Sequence, residues 1–245
     1  QFPEVYLSKL SVIFDGIDTN FFKPGEHSVF EQRIHLRGES GDLSIEPDEL
    51  LVTYATRGME PLRGFPDFMR TLPHLLEKQP NLKVLIGGRD RSAYGPSCPS
   101  HNGSWKELMI DQLPQLQNHP RIFYTGLMDY QNYRLMLQRT NLHFYFTQPY
   151  VTSWSLFEAS ACGTPLVTNR SEATSGTLPL SNKDIFEKVE DIHGPEGIKR
   201  LIARMNELPQ GRNQNLPEKY MLSSSKCSWQ KLINQCLTKN TPQKI

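Results

Sequence analysis

The stretch LHFYFTQPYVTSWSLFEASACGTPLV, from Leu142 to Val167, decides how the rest of the chain is read. Leu142 to Phe146 is a short apolar-leaning run of the kind that forms a buried strand. Pro149 breaks it, within a polar stretch from Gln148 to Ser153. From Ser155 to Cys162 the pattern is helical, and Gly163 and Pro165 stop the helix before a second strand-like run, Leu166 to Thr168. This order places a helix N-terminus at the carboxyl end of a parallel strand. The unpaired N–H groups and the positive end of the helix dipole there suit phosphate. One carboxylate, Glu158, lies about one turn inside the helix. From there it can accept hydrogen bonds from the hydroxyls of a ligand whose phosphates rest at the helix tip. A sugar nucleotide carries both kinds of group.

Similar alternation runs outward on both sides. Upstream, Leu50 to Ala55 (LLVTYA) predicts a strand, and the apolar residues Phe65, Phe68, Met69, Leu72, Leu75 and Leu76 predict an amphipathic helix over 65–77. Leu82 to Ile86 predicts a second strand, ended by Gly87-Gly88. Residues 89–103 read as a loop. Ser104 is placed to cap a helix from Trp105 to Leu113, with Glu107 in capping-box position. Arg121 to Thr125 predicts a third strand ended by Gly126, and Tyr130 to Arg139 a helix. Before these, Ser11 to Phe14 is a short apolar run, and 25–47 reads as a surface insertion or small hairpin. Downstream the pattern predicts a strand over 185–189, a helix over 196–208, a linker over 211–217, a helix over 218–237 and a frayed tail. Repeated β–α alternation predicts an α/β fold with a doubly wound parallel sheet. Ligands bind such sheets outside the carboxyl ends of the strands. Those ends are Thr56–Arg57, Gly87–Arg89, Gly126–Leu127 and Thr147–Ser153, all rich in glycine, arginine or hydroxyl groups.

Composition narrows the function classes. The 245 residues carry a net charge of +1, with 37% hydrophobic and 22% charged residues. That suits a globular chain and leaves no basic footprint for nucleic acid. No apolar run approaches the roughly 20 residues of an integral membrane segment. Cys98, Cys162, Cys227 and Cys236 have no C-x-x-C spacing, and the seven histidines include no pair at metal-ligand spacing, so no metal is expected. His143, inside a strand, reads as a core residue. The fingerprints G-x-G-x-x-G, G-x-x-x-x-G-K-[ST] and G-x-S-x-G are absent, which counts against dehydrogenases, phosphate-loop ATPases and α/β-hydrolases. Arg57 and Arg63, either side of Gly58 and Pro61, can converge on a diphosphate, since guanidinium forks match phosphate oxygens. Two solvated loop arginines are the plainer alternative, as a structural carboxylate is for Glu158. Tyr94, Trp105 and Trp154 lie near loops where each can stack on a base or sugar, with core or rim packing as the default reading.

Four stretches in order resemble one family: VIFDGIDTNFFKP from Val12, YATRGMEPLRGF from Tyr54, LKVLIGGRD from Leu82 and SLFEASACGTPLVT from Ser155. Together they resemble the carboxyl-terminal half of a GT-B fold glycosyltransferase of family 4 (glycosyl transferases group 1), and the last stretch is the most specific. The resemblance implies that Arg57 and Arg63 bind the donor diphosphate and stabilise it as it leaves, as the catalytic basic pair. It implies that Glu158 holds the ribose and that the backbone at Thr152, Ser153 and Trp154 holds phosphate. It places the base near Gly126 and Leu127, while Gly87, read from the residues alone, lets a donor approach the backbone at the strand end, a tight turn being the plainer alternative. Tyr150 stands where the family has a second glutamate that touches the donor sugar, and Val151 and Ser153 replace glycines. The stretch TNRSEATSGTLPLSNKD matches the family poorly.

The resulting expectation is a lead-in segment and insertion over 1–48, a Rossmann-like nucleotide-sugar-binding domain over 49–210, and a C-terminal helix and tail over 211–245. The function expected is the donor-binding half of a retaining, metal-independent hexosyltransferase that uses a nucleoside diphosphate sugar and needs a missing N-terminal Rossmann domain for the acceptor. A non-catalytic sugar-nucleotide-binding or interaction module derived from such an enzyme is the alternative. The location expected is cytoplasmic, with any membrane contact made through the missing domain.

Overall fold

The computed structural model describes residues 3–148, 152–171, 174, 176–181, 184–207 and 214–239. After a short helix α1 (Glu4–Leu7) comes an antiparallel hairpin, β1 (Ile34–Arg37) and β2 (Asp42–Ile45). The alternating part follows as β3 (Leu50–Gly58), α2 (Phe65–Lys78), β4 (Leu82–Arg89), α3 (Trp105–Gln112), β5 (Ile122–Gly126) and α4 (Tyr130–Arg139). It continues with β6 (Leu142–Phe144), α5 (Trp154–Ala161), β7 (Leu166–Asn169), β8 (Ile185–Phe186), α6 (Pro195–Met205) and α7 (Leu222–Lys239).

Strands β3 to β8 form one parallel sheet in the order β5-β4-β3-β6-β7-β8. The chain winds outward from β3 to β5, then returns to the other side of β3 with β6. The order therefore reverses between β3 and β6, which is where a doubly wound sheet opens a crevice.

Both faces of the sheet are covered, which is why β3 reads as a continuous apolar run rather than an alternating one. Val52 and Tyr54 pack with α2, α3 and α6 on one face, while Leu51 and Leu85 pack with α4, α5 and the hairpin on the other. The six apolar positions expected to face inward from α2 are all buried, with Pro66 in the first turn where its missing N–H costs nothing. Ser104 caps α3 by accepting from the Glu107 N–H at 2.9 Å. The fully buried His143 has Nδ1 2.7 Å from Thr53 Oγ1, and burial pushes its pKa down to about 4, so it is a neutral core residue.

Some elements differ from the sequence expectation. The apolar run Ser11–Phe14 forms no regular element, and Phe14 packs on Phe157 and Tyr220 while Ile17 bridges to Met221. The last strand is only Ile185–Phe186, because Val189–His193 tightens into a 3-10 turn. The expected helix over 218–237 begins as a 3-10 turn, Glu218–Tyr220, and becomes α-helical from Leu222. Among the described residues no helix is long and apolar enough to cross a membrane.

Candidate functional site

A cavity of about 850 Å3 opens outside the carboxyl ends of β3, β4, β5 and β6, at the reversal point of the sheet. Arg57, Arg63, Gly87, Gly126, Leu127, Thr152, Ser153, Trp154 and Glu158 all line it. Tyr150 and Val151 lie outside the described residues.

The arginines define one end. The backbone carbonyl of Arg63 accepts from Tyr54 Oη at 2.9 Å, and its Nη1 donates to Thr147 Oγ1 at 3.0 Å. The side chain thus spans from β3 to the end of β6, across the reversal point. Arg57 donates from Nη1 to Tyr94 Oη at 3.2 Å. Among the described residues neither guanidinium has a carboxylate within ion-pair distance. Two cations without counter-charges in one cavity form an anion site in waiting. At the floor, Gly88 has φ +107, and a Cβ there would lie 1.8 Å from the Thr56 carbonyl oxygen. The glycine pair therefore serves close strand approach at Gly88, while Gly87 faces the cavity. Arg89, next in sequence, turns away and makes a two-pronged contact with Glu39 of the hairpin tip, at 3.0 and 3.1 Å.

Helix α5 defines the other end. Trp154 and Ser155 open it, and the first-turn N–H groups of a helix have no acceptor within it. The Ser153 N–H is not one of these: it donates to Tyr145 Oη at 2.9 Å, so its amide is already spent within the protein. Glu158 is only 7% exposed, and its neighbours Phe157 and Ala159 are buried in the core. Among the described residues no cation lies within ion-pair distance of it. Burial raises its pKa to about 7, against a smaller lowering by the nearby Tyr133 hydroxyl. That hydroxyl stands beside the carboxylate and is buried, but among the described residues it makes no well-formed hydrogen bond. A buried phenol hydroxyl without a well-formed hydrogen bond and a buried carboxylate, both lining the cavity, suit a ligand with hydroxyl groups.

Between the two ends the rim is apolar. Leu127, Tyr130, Trp154 and Tyr94 are among the exposed large hydrophobic side chains of the protein, and all four line this cavity. Planar rings pack well on such surfaces. Among the described residues no group of three or more His, Cys, Asp or Glu is placed to hold a metal ion.

No known family model matches the chain. It is 24% identical over 245 residues to a curated D-inositol 3-phosphate glycosyltransferase of Thermobifida fusca, covering 94% of this chain and 49% of that protein. The chain thus spans about half the length of this curated relative. Among solved structures it superposes on the Anabaena protein HepE, solved with UDP-glucose, with a TM-score of 0.63 at 13% identity, covering 92% of this chain and 57% of that one. It also superposes on the C-terminal domain of a glycosyl transferase group 1 protein from Francisella tularensis, with a TM-score of 0.54 at 13% identity, covering 86% of this chain and 98% of that one. The last match decides which half is present. The chain has the fold of the carboxyl-terminal half of a GT-B glycosyltransferase.

Two further residues that line the cavity, Tyr133 and Tyr94, and one behind it, Glu60, have roles that the sequence reading did not assign. Tyr133 sits mid-helix in an amphipathic pattern, and nothing local marks its hydroxyl as unpartnered. Tyr94 lies at the rim, and among the described residues it is the aromatic that approaches both arginines. Glu60 lies between the arginines, yet its carboxylate turns the other way, into the backbone of the loop that carries Tyr94.

Proposed function

We propose that the cavity binds a nucleoside diphosphate sugar, and that the chain is the donor-binding half of a retaining glycosyltransferase that moves a hexosyl group to an acceptor. One observation carries this reading: two arginines without carboxylate partners among the described residues and one buried carboxylate line a single cavity at the reversal point of the sheet. The diphosphate lies between Arg57, Arg63 and the first turn of α5. The ribose hydroxyls donate to Glu158, and the base rests by Gly126 and Leu127. In the transfer, the bond from the anomeric carbon to the diphosphate oxygen breaks. The acceptor oxygen bonds to that carbon on the same face, and its proton passes to the departing diphosphate. Arg57 and Arg63 stabilise the charge that develops on the leaving group. The positive charge comes from these side chains, and no metal ion is needed.

The acceptor is held by a second, amino-terminal Rossmann domain. The relatives that are about twice as long as the matched region support this division. Calorimetric titration with uridine and guanosine diphosphates, with and without a chelator, tests the reading. Micromolar to millimolar binding of one of them, unchanged by the chelator, is expected. A flat titration for every nucleoside diphosphate at millimolar concentration refutes it. The second reading, a non-catalytic nucleotide-sugar-binding module, shares the same site and parts from the first only in turnover.

A further inference from the structure

The loop between β4 and α3 is fastened in an unusual way. Glu60 is fully buried, and its Oε2 accepts the N–H groups of three consecutive residues, Ala93 at 3.0 Å, Tyr94 at 3.1 Å and Gly95 at 2.8 Å. A run of N–H groups converging on one anion is a nest, a form that proteins commonly offer to phosphate. Here the protein's own carboxylate fills it. The loop backbone is therefore not available to a ligand, and what the loop presents to the cavity is the Tyr94 side chain. The base of the loop is also tied, by Ser104 Oγ donating to Asp90 Oδ2 at 2.7 Å. Gly58 lets the loop come close: a Cβ there would lie 2.5 Å from the Arg91 carbonyl oxygen.

Tyr94 is placed between the two cations. Its hydroxyl accepts from Arg57, and its ring centroid is 5.2 Å from Arg63 Cζ and 6.0 Å from Arg57 Cζ. Two like charges without counter-ions repel and would swing toward water. A ring that offers its face to one and its oxygen to the other holds both inward. The residue is 58% exposed, so it is the backbone of its loop, and not core packing, that brings the ring to the arginines. We propose that Tyr94 belongs to the ligand-binding surface, holding Arg57 and Arg63 in the orientation that receives a diphosphate, and that Glu60 is the positioning residue that sets it there. This rests on the reading of the cavity as a nucleoside diphosphate site.

The test is calorimetry on the 245-residue chain with uridine and guanosine diphosphates, each paired with its nucleoside. Tyr94→Ala should weaken the diphosphate roughly 5- to 10-fold and leave the nucleoside unchanged, the combined effect of one cation–π contact and one hydrogen bond. Tyr94→Phe, which keeps the ring, should lose only about 2- to 3-fold. Glu60→Gln sets an amide donor against backbone donors and should match Tyr94→Ala. The double variant should lose no more than either single one, because Glu60 acts through Tyr94. That lack of additivity is what a merely structural role of Glu60 would not produce. Should Glu60→Gln fail to fold, Tyr94→Ala carries the test alone. Wild-type affinity in Tyr94→Ala, or losses that multiply in the double variant, would overturn the proposal while a diphosphate loss in Arg57→Ala leaves the site reading intact. Absence of any binding by the wild type would remove both.

Discussion

Glu158 should make the protein less stable as the pH rises toward neutrality, and Glu158→Gln should abolish that loss. Burial lifts the carboxyl from 4.5 to about 7 in the folded chain, with the Tyr133 hydroxyl only partly opposing it. The unfolded chain releases this proton near 4.5, while the folded chain keeps it until about 7. Below the lower value both states are protonated and the group contributes nothing. Between the two values the unfolded state is favoured progressively, and above the upper value the penalty is complete. At about 1.4 kcal/mol per pKa unit the full penalty is on the order of 3 kcal/mol. Glu39 and Asp129, whose pKa values are lowered, act in the opposite sense, so the informative quantity is the difference between variant and wild type. In urea melts from pH 5 to pH 8, Glu158→Gln should start near wild-type stability and become more stable by up to about 3 kcal/mol, levelling off above pH 7. A difference that does not change with pH, or a variant less stable than wild type at pH 8, would refute the account of Glu158 as an uncompensated buried charge.

Ligand hydroxyls that donate to Glu158 favour its charged form, so uridine or guanosine affinity in the wild type should rise between pH 6 and pH 8, with proton release detectable in buffers of different ionisation heat. The same titration of Glu158→Gln should be flat. Arg57→Ala and Arg63→Ala should each weaken the diphosphate by roughly 1.5–3 kcal/mol and spare the nucleoside, as expected for charge-assisted hydrogen bonds; equal losses for both ligands would assign the arginines to the fold. Gly88→Ala should destabilise by at least about 2 kcal/mol in denaturant melts, because the left-handed backbone and the Thr56 carbonyl both exclude a Cβ, and a near-neutral effect would show that β3 and β4 can part without cost. Residues 1–245 alone should show no measurable sugar transfer to acceptor, since near-attack positioning supplies roughly 7–11 kcal/mol of barrier lowering and the proposed reading assigns these residues the donor side. A two-domain protein that binds donor yet stays inactive until Tyr150→Glu is introduced would favour the non-catalytic reading of the native sequence.

Much of the fold was legible because its signals are local. The spacing of Phe65, Phe68, Met69, Leu72, Leu75 and Leu76 specifies one buried face, and that face is the one observed. Both faces of β3 and β4 are covered, so their unbroken apolar runs identify a parallel sheet before any pairing is known. The gathering of Arg57, Gly87, Gly126 and Glu158 around one cavity follows from strand ends and topology alone. What was not legible depends on contacts between distant backbone atoms. Nothing near Glu60 reveals that its partners are the N–H groups of residues 93–95, because backbone donors leave no mark on sequence. The loss of the Ser153 amide to Tyr145 is of the same kind: a hydroxyl eight residues earlier reaches back over the strand end. The short last strand failed for a different reason. Val189 is as apolar as a strand residue, but Asp191 accepts the Lys188 N–H and draws the chain into a turn.

The meeting of the two flanks of the domain has a kinetic consequence. The Ile17 N–H donates to the Tyr220 carbonyl at 2.9 Å, and the Leu222 N–H donates to the Ile17 carbonyl at 2.8 Å. Phe14 and Tyr220 both pack on Phe157, the neighbour of Glu158, at ring separations of 4.6 and 4.7 Å. These are contacts between opposite ends of the described chain, so they close the largest loop in the molecule. Such contacts are rewarded only after the intervening chain is ordered. The outer support of α5 is therefore the last part of the domain to be locked during folding and the first to be released. In hydrogen exchange the amides of Ile17 and Leu222 should open well before those of β3 and β4. Each such opening loosens the packing of Phe157, the neighbour of Glu158, so the lifetime of this seam bears on how firmly the helix behind the cavity is held.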